Sequence, residues 1–273
     1  MFEQELADLL EKSRQNPRDP EVYKELGNIY FHQQHFEQAI EYYEKALECN
    51  QEYFKALYNL GNTYYKIEQF EKAVHYWHRA INVKSDFDHA HFNLGYHYYT
   101  KGFFREAIAE FRKALDINPT AADTFYYLGL CYQQSDQLAL AIEAFRKAIS
   151  LSDDDPDYHY NLANASYDSG DYQVAADEWK ITLSIRPKDL KARNNYCDAL
   201  VQLGRIDEAL KEIDIVLAED PEYPPALCTK AEIFEKQGKK SESQEMFRSA
   251  LRHTSENQNW ALLGKYIQEK IVN

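Results

Sequence analysis

Small and apolar residues recur along the chain with a period of 34 residues. The first feature of each period is a leucine followed by a small residue, at Leu26-Gly27, Leu60-Gly61, Leu94-Gly95, Leu128-Gly129 and Leu162-Ala163. An alanine follows twelve positions later, at Ala39, Ala73, Ala107, Ala141 and Ala175, and an aromatic four positions after that, at Tyr43, Trp77, Phe111, Phe145 and Trp179. Spacings of three, four and seven residues place side chains on one helix face. The pattern therefore predicts pairs of helices, repeated along the chain, and no strand.

Glycine and proline mark where the predicted helices turn and begin. Four glycines fall inside the first helix of a pair, where glycine costs about 1 kcal/mol relative to alanine. We interpret this as room for the second helix, with the alanines facing it and the aromatics filling the gap to the next hairpin. Four further glycines, Gly102, Gly170, Gly204 and Gly238, fall between the helices of a pair. The prolines fall at repeat boundaries, where proline can open a helix.

These residues resemble the tetratricopeptide repeat, and the resemblance extends from Pro20 to Asn257 without insertion or deletion. It implies an all-α fold, a right-handed superhelical solenoid of antiparallel helix pairs. Seven repeats are expected over residues 20–257, beginning at residues 20, 54, 88, 122, 156, 190 and 224. Residues 1–19 are predicted to form an N-terminal helix, and residues 258–273 a C-terminal helix that covers the last hairpin.

The resemblance also implies a ligand-binding surface, because the first helices of such pairs line a concave groove. Counted from each repeat start, positions 2, 5, 9 and 12 point into the groove and position 6 lies beside them. The predicted peptide-binding residues are Lys24, Asn28, Lys55, Tyr58, Asn59, Asn62, Tyr65, His89, Phe92, Asn93, Tyr96, Tyr99, Tyr126, Tyr160, Asn161, Asn164, Tyr167, Asn194 and Asn195. Amphipathic rings on such a surface serve as binding anchors, although they can also simply cover neighbouring turns.

Asparagine recurs at position 6, at Asn59, Asn93, Asn161 and Asn195. A primary amide can both donate to and accept from a peptide backbone. The series resembles the asparagine ladder in the repeats of the O-linked N-acetylglucosamine transferases. It is interrupted at Glu25, Tyr127 and Thr229, and ordinary consensus or capping asparagines are the alternative interpretation.

A second resemblance is to the carboxylate clamp of chaperone-binding repeats. Lys24 and Asn28 match its first repeat and Asn59 its second, whereas His89 and Asn93 stand where the clamp has lysine and arginine. Lys55 and Lys66 are the lysines that would supply the missing charge.

The composition limits the classes of partner and the kinds of chemical site that are expected. A net charge of -14 over 273 residues argues against nucleic acid and anionic membrane surfaces, which bind basic proteins. No apolar run approaches a membrane span, and the acidic first ten residues lack the features of a signal peptide, so a cytoplasmic setting is expected. The four cysteines contain no CxxC and are expected to be reduced. No metal-ligand set, cofactor motif or catalytic arrangement is recognisable.

The sequence thus favours a scaffold or adaptor that binds a peptide segment of an unknown protein partner, and not an enzyme. Two alternatives stay open. One is a protein that associates with itself, through its last repeats or its N-terminal helix. The other is a regulatory or substrate-presenting subunit of an enzyme on another chain.

Overall fold

A computed structural model of the chain describes residues 2–254 and 260–272. The described residues form sixteen helices and no strand. The helices of the first half are α1 (Phe2–Gln15), α2 (Pro20–His32), α3 (Phe36–Cys49), α4 (Phe54–Lys66), α5 (Phe70–Val83), α6 (Asp88–Thr100), α7 (Phe104–Ile117) and α8 (Ala122–Gln134). Those of the second half are α9 (Leu138–Leu151), α10 (Pro156–Asp168), α11 (Tyr172–Ile185), α12 (Leu190–Gln202), α13 (Ile206–Glu219), α14 (Pro224–Lys236), α15 (Lys240–Thr254) and α16 (Ala261–Val272).

The chain divides into two compact units, Met1–Cys131 (unit 1) and Tyr132–Asn273 (unit 2). In unit 1 the helices pack as the pairs α2/α3, α4/α5 and α6/α7, and in unit 2 as the pairs α10/α11, α12/α13 and α14/α15. Helix α1 packs on α2, and α16 packs on α15. The predicted all-α fold of antiparallel helix pairs is confirmed. The predicted boundary between residues 257 and 258 lies outside the described residues.

The helix starts show why the repeat boundaries carry aspartate and proline. Asp19 and Asp155 each accept a hydrogen bond from the backbone N–H two residues on, and a proline follows each of them as the first helical residue. Such a side chain satisfies one of the N–H groups that a helix start leaves unpaired, and proline has no N–H to lose there.

The turns within the pairs need a residue with positive φ. Gly102, Gly170, Gly204 and Gly238 supply it, with φ between +75° and +86°. Three other turns place a residue with a side chain there: Gln34, Glu68 and Asp136 have φ of 58° to 61°. Glycine adopts this conformation without the steric penalty of a Cβ.

Three glycines inside first helices, Gly27, Gly61 and Gly95, are each packed against an aromatic ring of the same repeat. A Cβ added to Gly61 would lie 2.4 Å from Trp77 Cδ1, and one added to Gly27 would lie 2.5 Å from Tyr43 Cε1. The interpretation that alanine is the residue facing the glycine is therefore wrong. The ring also packs towards the next hairpin as predicted, since Tyr43 shares a buried cluster with Leu60 and Tyr64. The ring takes the space that the missing side chain leaves, because a flat group can approach the helix backbone closely there.

The residues that depart from the repeat pattern near the C-terminus are still buried in the core. Cys197, Ile213 and Ala231 replace the usual glycine or aromatic, and each is fully buried. Ile267 of α16 is also fully buried and packs with Phe247 of α15. The last helix therefore covers the apolar face of the last hairpin.

Candidate functional site

Three of the predicted ladder asparagines are hydrogen-bonded to the preceding repeat. The bonds run from Asn59 Nδ2 to Asn28 Oδ1 at 2.8 Å, from Asn93 Nδ2 to Asn62 Oδ1 at 2.7 Å, and from Asn195 Nδ2 to Asn164 Oδ1 at 3.4 Å. The fourth, Asn161, donates to the Asp157 carbonyl of its own helix at 2.8 Å. Three of the four amides therefore link the first helices of neighbouring repeats before any ligand binds. Their predicted role in gripping a peptide stays a prediction.

An aromatic cavity of about 390 Å³ lies in unit 1. We call it the aromatic cavity; its lining residues are Phe31, Tyr58, Asn62, Tyr65, Lys66, Trp77, Phe92, Asn93, Tyr96 and Tyr127. Six of these, on α4 and α6, are predicted groove residues: Tyr58, Asn62, Tyr65, Phe92, Asn93 and Tyr96. Helical spacing brings them together, since positions 5, 9 and 12 of one helix share a face.

Hydrogen bonds fix the wall of the aromatic cavity. Asn62 Oδ1 accepts from Trp77 Nε1 at 2.9 Å and from Asn93 Nδ2 at 2.7 Å. Asn93 Nδ2 also donates to the Tyr58 hydroxyl at 3.2 Å. Tyr96 meets the edge of Tyr127 with ring centroids 5.2 Å apart. Because these groups hold one another, the cavity is preformed and suits an apolar or aromatic side chain.

The residues that resemble a carboxylate clamp already contact other side chains of the same protein. Lys24 is only 7% exposed, and its Nζ binds Glu21 Oε1 at 2.6 Å and also Glu25. Burial alone would lower the pKa of Lys24, but the bonds to these two carboxylates raise it. Lys55 lies 3.8 Å from the Glu21 carboxylate. A terminal carboxylate would have to displace the chain's own acidic groups.

Three other predicted groove residues of unit 1 lie outside the lining of the aromatic cavity. Tyr99 and Tyr126 each pack against Tyr127, with centroids 5.7 and 5.3 Å apart. His89 is exposed, and its Nδ1 lies 2.7 Å from Asp88 Oδ1.

Trp77 and Tyr127 line the aromatic cavity but are not among the predicted site residues. Trp77 occupies a core position of the repeat and is only 2% exposed, yet it borders the cavity. Tyr127 stands at position 6 of its repeat and interrupts the asparagine series. Because position 6 lies beside the groove in the repeat pattern, the position itself is the signal that points to Tyr127.

Unit 2 has a more polar pair of adjoining cavities, of about 330 and 240 Å³. Both are lined by Tyr167 and Asp198. The predicted residues Tyr160, Asn164, Tyr167 and Asn195 line the larger cavity, together with Gln133, Asp168, Trp179, Lys191 and Asp198. The predicted residue Asn194 lines the smaller one and is 4% exposed, so it does not face solvent as expected.

Burial changes the acidity of two carboxyls in unit 2. It raises the pKa of Asp198 to about 7, against a hydrogen bond from Thr229 that lowers it, and nearby Glu232 raises it further. Burial also raises the pKa of Asp168, although a bond to Gln133 acts in the opposite direction. Part of the Asp198 population therefore carries a proton at neutral pH.

The described residues place no group of three or more His, Cys, Asp or Glu side chains where a metal ion could be held. Within residues 2–254 and 260–272, no helix has the length and apolar character that crossing a bilayer requires.

Comparison with family models covers most of the chain. A model described as the tetratricopeptide repeat matches residues 20–53. A second model with the same description matches residues 58–122, 92–159 and 160–224. No curated protein matches the sequence significantly.

Several solved structures share the fold at low sequence identity. PilF of Pseudomonas aeruginosa is 20% identical, with a TM-score of 0.65 over 78% of this chain and 97% of its own. YrrB, described as having an unusual peptide-binding site, is 20% identical, with a TM-score of 0.58 over 67% of this chain and 95% of its own. A repeat protein of Parabacteroides merdae is 18% identical, with a TM-score of 0.59 over 93% of this chain and 99% of its own.

Proposed function

Because the chain belongs to the tetratricopeptide repeat family, we propose that it is a scaffold that binds a peptide segment of a partner protein. Proteins of this family act as protein–protein interaction scaffolds and are generally not catalysts. The observation that carries the proposal is the aromatic cavity of unit 1. A preformed, mainly aromatic cavity is the kind of surface at which a few side chains supply most of the binding free energy.

The chemistry of the aromatic cavity defines what enters it. Tyr65, Phe92 and Tyr96 offer ring faces and edges, so an aromatic or large aliphatic side chain of the peptide is the occupant we propose. Aromatic pairs contribute about 0.5–1.5 kcal/mol beyond the area they bury. Lys66 borders the cavity and is exposed, which favours an acidic residue of the peptide next to the inserted side chain.

The asparagines would contact the peptide backbone through their oxygens. Asn93 Nδ2 uses its two hydrogens on Tyr58 and Asn62, which leaves Oδ1 to accept from a main-chain N–H. Asn195 repeats this arrangement in unit 2 with Tyr160 and Asn164. We therefore propose that these residues accept from the peptide and do not donate to it.

The test begins with a library of random peptides displayed on phage and selected on the full chain. A selected peptide is labelled, and its affinity is measured by fluorescence anisotropy with wild type and with Tyr96→Ala. We expect Tyr96→Ala to weaken binding by at least about tenfold, because truncated anchors at the centre of a site have effects of this size.

Tyr98→Ala is the matched control. Tyr98 lies on the same helix as Tyr96 but does not line the aromatic cavity, so its loss should leave affinity unchanged. Circular dichroism of both variants shows whether the helices are retained. Equal affinity of a folded Tyr96→Ala variant, or an equal loss in both variants, would contradict the proposal.

A further inference from the structure

The adjoining cavities of unit 2 contain a buried acceptor that lacks a donor among the described residues, the side-chain oxygen of Asn194. Asn194 lines the smaller cavity, and its Nδ2 donates to Asp198 Oδ2 at 3.3 Å. When Asp198 is ionised, this bond fixes the orientation of the amide, because the reverse orientation would set two oxygens without a proton against each other. Asn194 Oδ1 is then a buried acceptor with no hydrogen-bond partner. Such an atom lowers stability until a donor reaches it.

Two carboxylates border the same space without a basic partner. Asp198 Oδ1 accepts from the Thr229 hydroxyl at 2.7 Å, and Glu232 Oε1 accepts from the Tyr266 hydroxyl at 2.8 Å. In the described part of the chain, no lysine or arginine lies within ion-pair distance of Asp198, Glu232 or Asp168. The nearby Lys270 is bound to Glu235 at 2.8 Å. Among the described residues, no ion pair therefore holds Asp198 or Glu232.

We propose that this acidic cavity, formed by Asn194, Asp198 and Glu232, binds an arginine side chain. That the arginine belongs to a peptide rests on the function proposed above. A guanidinium group carries five N–H donors in a plane and no acceptor, so it can serve the Asn194 oxygen and both carboxylates together. Lysine has a single charged nitrogen and would satisfy these separate acceptors less well.

Binding should strengthen as the pH rises, because a cation favours ionised Asp198. The titratable groups that face Asp198 are Tyr167 and Asp168 of α10, Cys228 and Glu232 of α14, and Tyr266 of α16, with Lys191 on its own helix at the larger cavity. The pKa of Asp198 is raised to about 7, so protonated Asp198 predominates below that pH. If only the ionised form binds, affinity at pH 6 is about tenfold lower than at pH 8.

The probe is Nα-acetyl-arginine N-methylamide, titrated into the full ¹⁵N-labelled chain and followed by NMR. The neutral, nearly isosteric Nα-acetyl-citrulline N-methylamide is the ligand control. We expect saturable shifts of the Asn194 side-chain amide signals with the arginine probe and at least about tenfold weaker binding of the citrulline probe.

Two variants distinguish an effect of the cavity's charge from a general effect on the structure. The double substitution Asp198→Asn with Glu232→Gln should weaken arginine binding at least about tenfold. Glu219→Gln removes an exposed carboxylate of unit 2 that lines neither cavity and should leave arginine binding unchanged. Equal binding of the two probes, no saturable shift with the folded wild type, or an equal loss with Glu219→Gln would overturn the proposal.

The result of the arginine-binding experiment does not depend on the aromatic cavity. Tyr96→Ala should leave binding of the arginine probe unchanged, since Tyr96 lines neither cavity of unit 2. If the probe binds but no selected peptide depends on Tyr96, the acidic cavity stands and the proposed function fails. If selected peptides depend on Tyr96 but the arginine probe does not bind, the proposed function stands and the proposal for the acidic cavity fails.

Discussion

Glycine and an aromatic residue sixteen positions later act as one packing unit in this chain. The ring of Trp77 lies over Gly61 so closely that a Cβ at residue 61 would meet Trp77 Cδ1 at 2.4 Å. Trp77 Nε1 also donates to Asn62, so the ring cannot move away without losing a hydrogen bond. In the fifth repeat Ala163 stands in place of the glycine, and Trp179 Nε1 is buried without a partner there.

Gly61→Ala should lower the free energy of unfolding by about 1–3 kcal/mol, because overpacking forces the ring or the backbone to shift. Urea denaturation followed by circular dichroism measures the change. Ala163→Gly is the counterpart in the fifth repeat, where we expect a loss of about 1–2 kcal/mol from helix propensity and from the buried methyl group that is removed. A gain in stability for Gly61→Ala would show that the ring is free to move and that this packing account is wrong.

At the scale of the helix pair, the turn is the strained element. Each described turn that needs positive φ uses either glycine or, at Gln34, Glu68 and Asp136, a residue with a side chain. A Cβ added to Gly170 would meet nothing within 4 Å. The difference between the two kinds of turn is therefore one of backbone conformation and not of packing.

Glu68→Gly should raise the free energy of unfolding by about 0.5–1 kcal/mol. Removing Cβ relieves steric strain in the left-handed conformation, and this gain exceeds the loss that comes from the greater entropy of the unfolded chain with glycine. Gly170→Ala should lower it by about 1 kcal/mol for the converse reason. Thermal unfolding of both variants, under identical buffer, provides the comparison. If Glu68→Gly unfolds more readily than wild type, the side chain of Glu68 contributes more than the strain removes.

At the scale of the whole molecule, charge opposes contact between copies of the chain. A net charge of -14 produces a repulsion that weakens as salt screens it. Self-association is one alternative that the sequence leaves open, and the acidic surface disfavours it.

Sedimentation velocity should therefore give a single species with the mass of the monomer, over a wide range of protein concentrations and at both low and high salt. Measurements at high salt are the stringent condition, because screening removes the repulsion. A sedimentation coefficient that increases with concentration at high salt would indicate self-association and favour that alternative over the scaffold.

The sequence by itself determined the helices and their pairing. Residues of α2, α4 and α6 that pack inward recur at three- and four-residue spacings, which is a local property of a helix. The 34-residue recurrence then makes each pair resemble the next, and the first helices begin at Pro20, Phe54 and Asp88 with the same interval. Both the helical spacing and the 34-residue repeat can be recognised in the sequence alone.

Only the tertiary structure decided which polar groups are already occupied. Asn59 meets Asn28, and Asn93 meets Asn62, across 31 residues of chain, and Lys24 is taken by neighbouring carboxylates. The repeat pattern predicts which helix faces meet a ligand, but hydrogen-bond partners depend on how far one helix is displaced along the next. That displacement comes from side-chain packing between repeats.

The acidic cavity depends on the tertiary structure for the same reason. Asn194 and Asp198 lie four residues apart on α12, but Glu232 and Tyr266 come from α14 and α16. The sequence alone contains each of these residues without indicating that they meet. Their chemistry as a group, a buried oxygen without a donor beside carboxyl groups without an ion-pair partner among the described residues, exists only once the last hairpins and α16 have packed together.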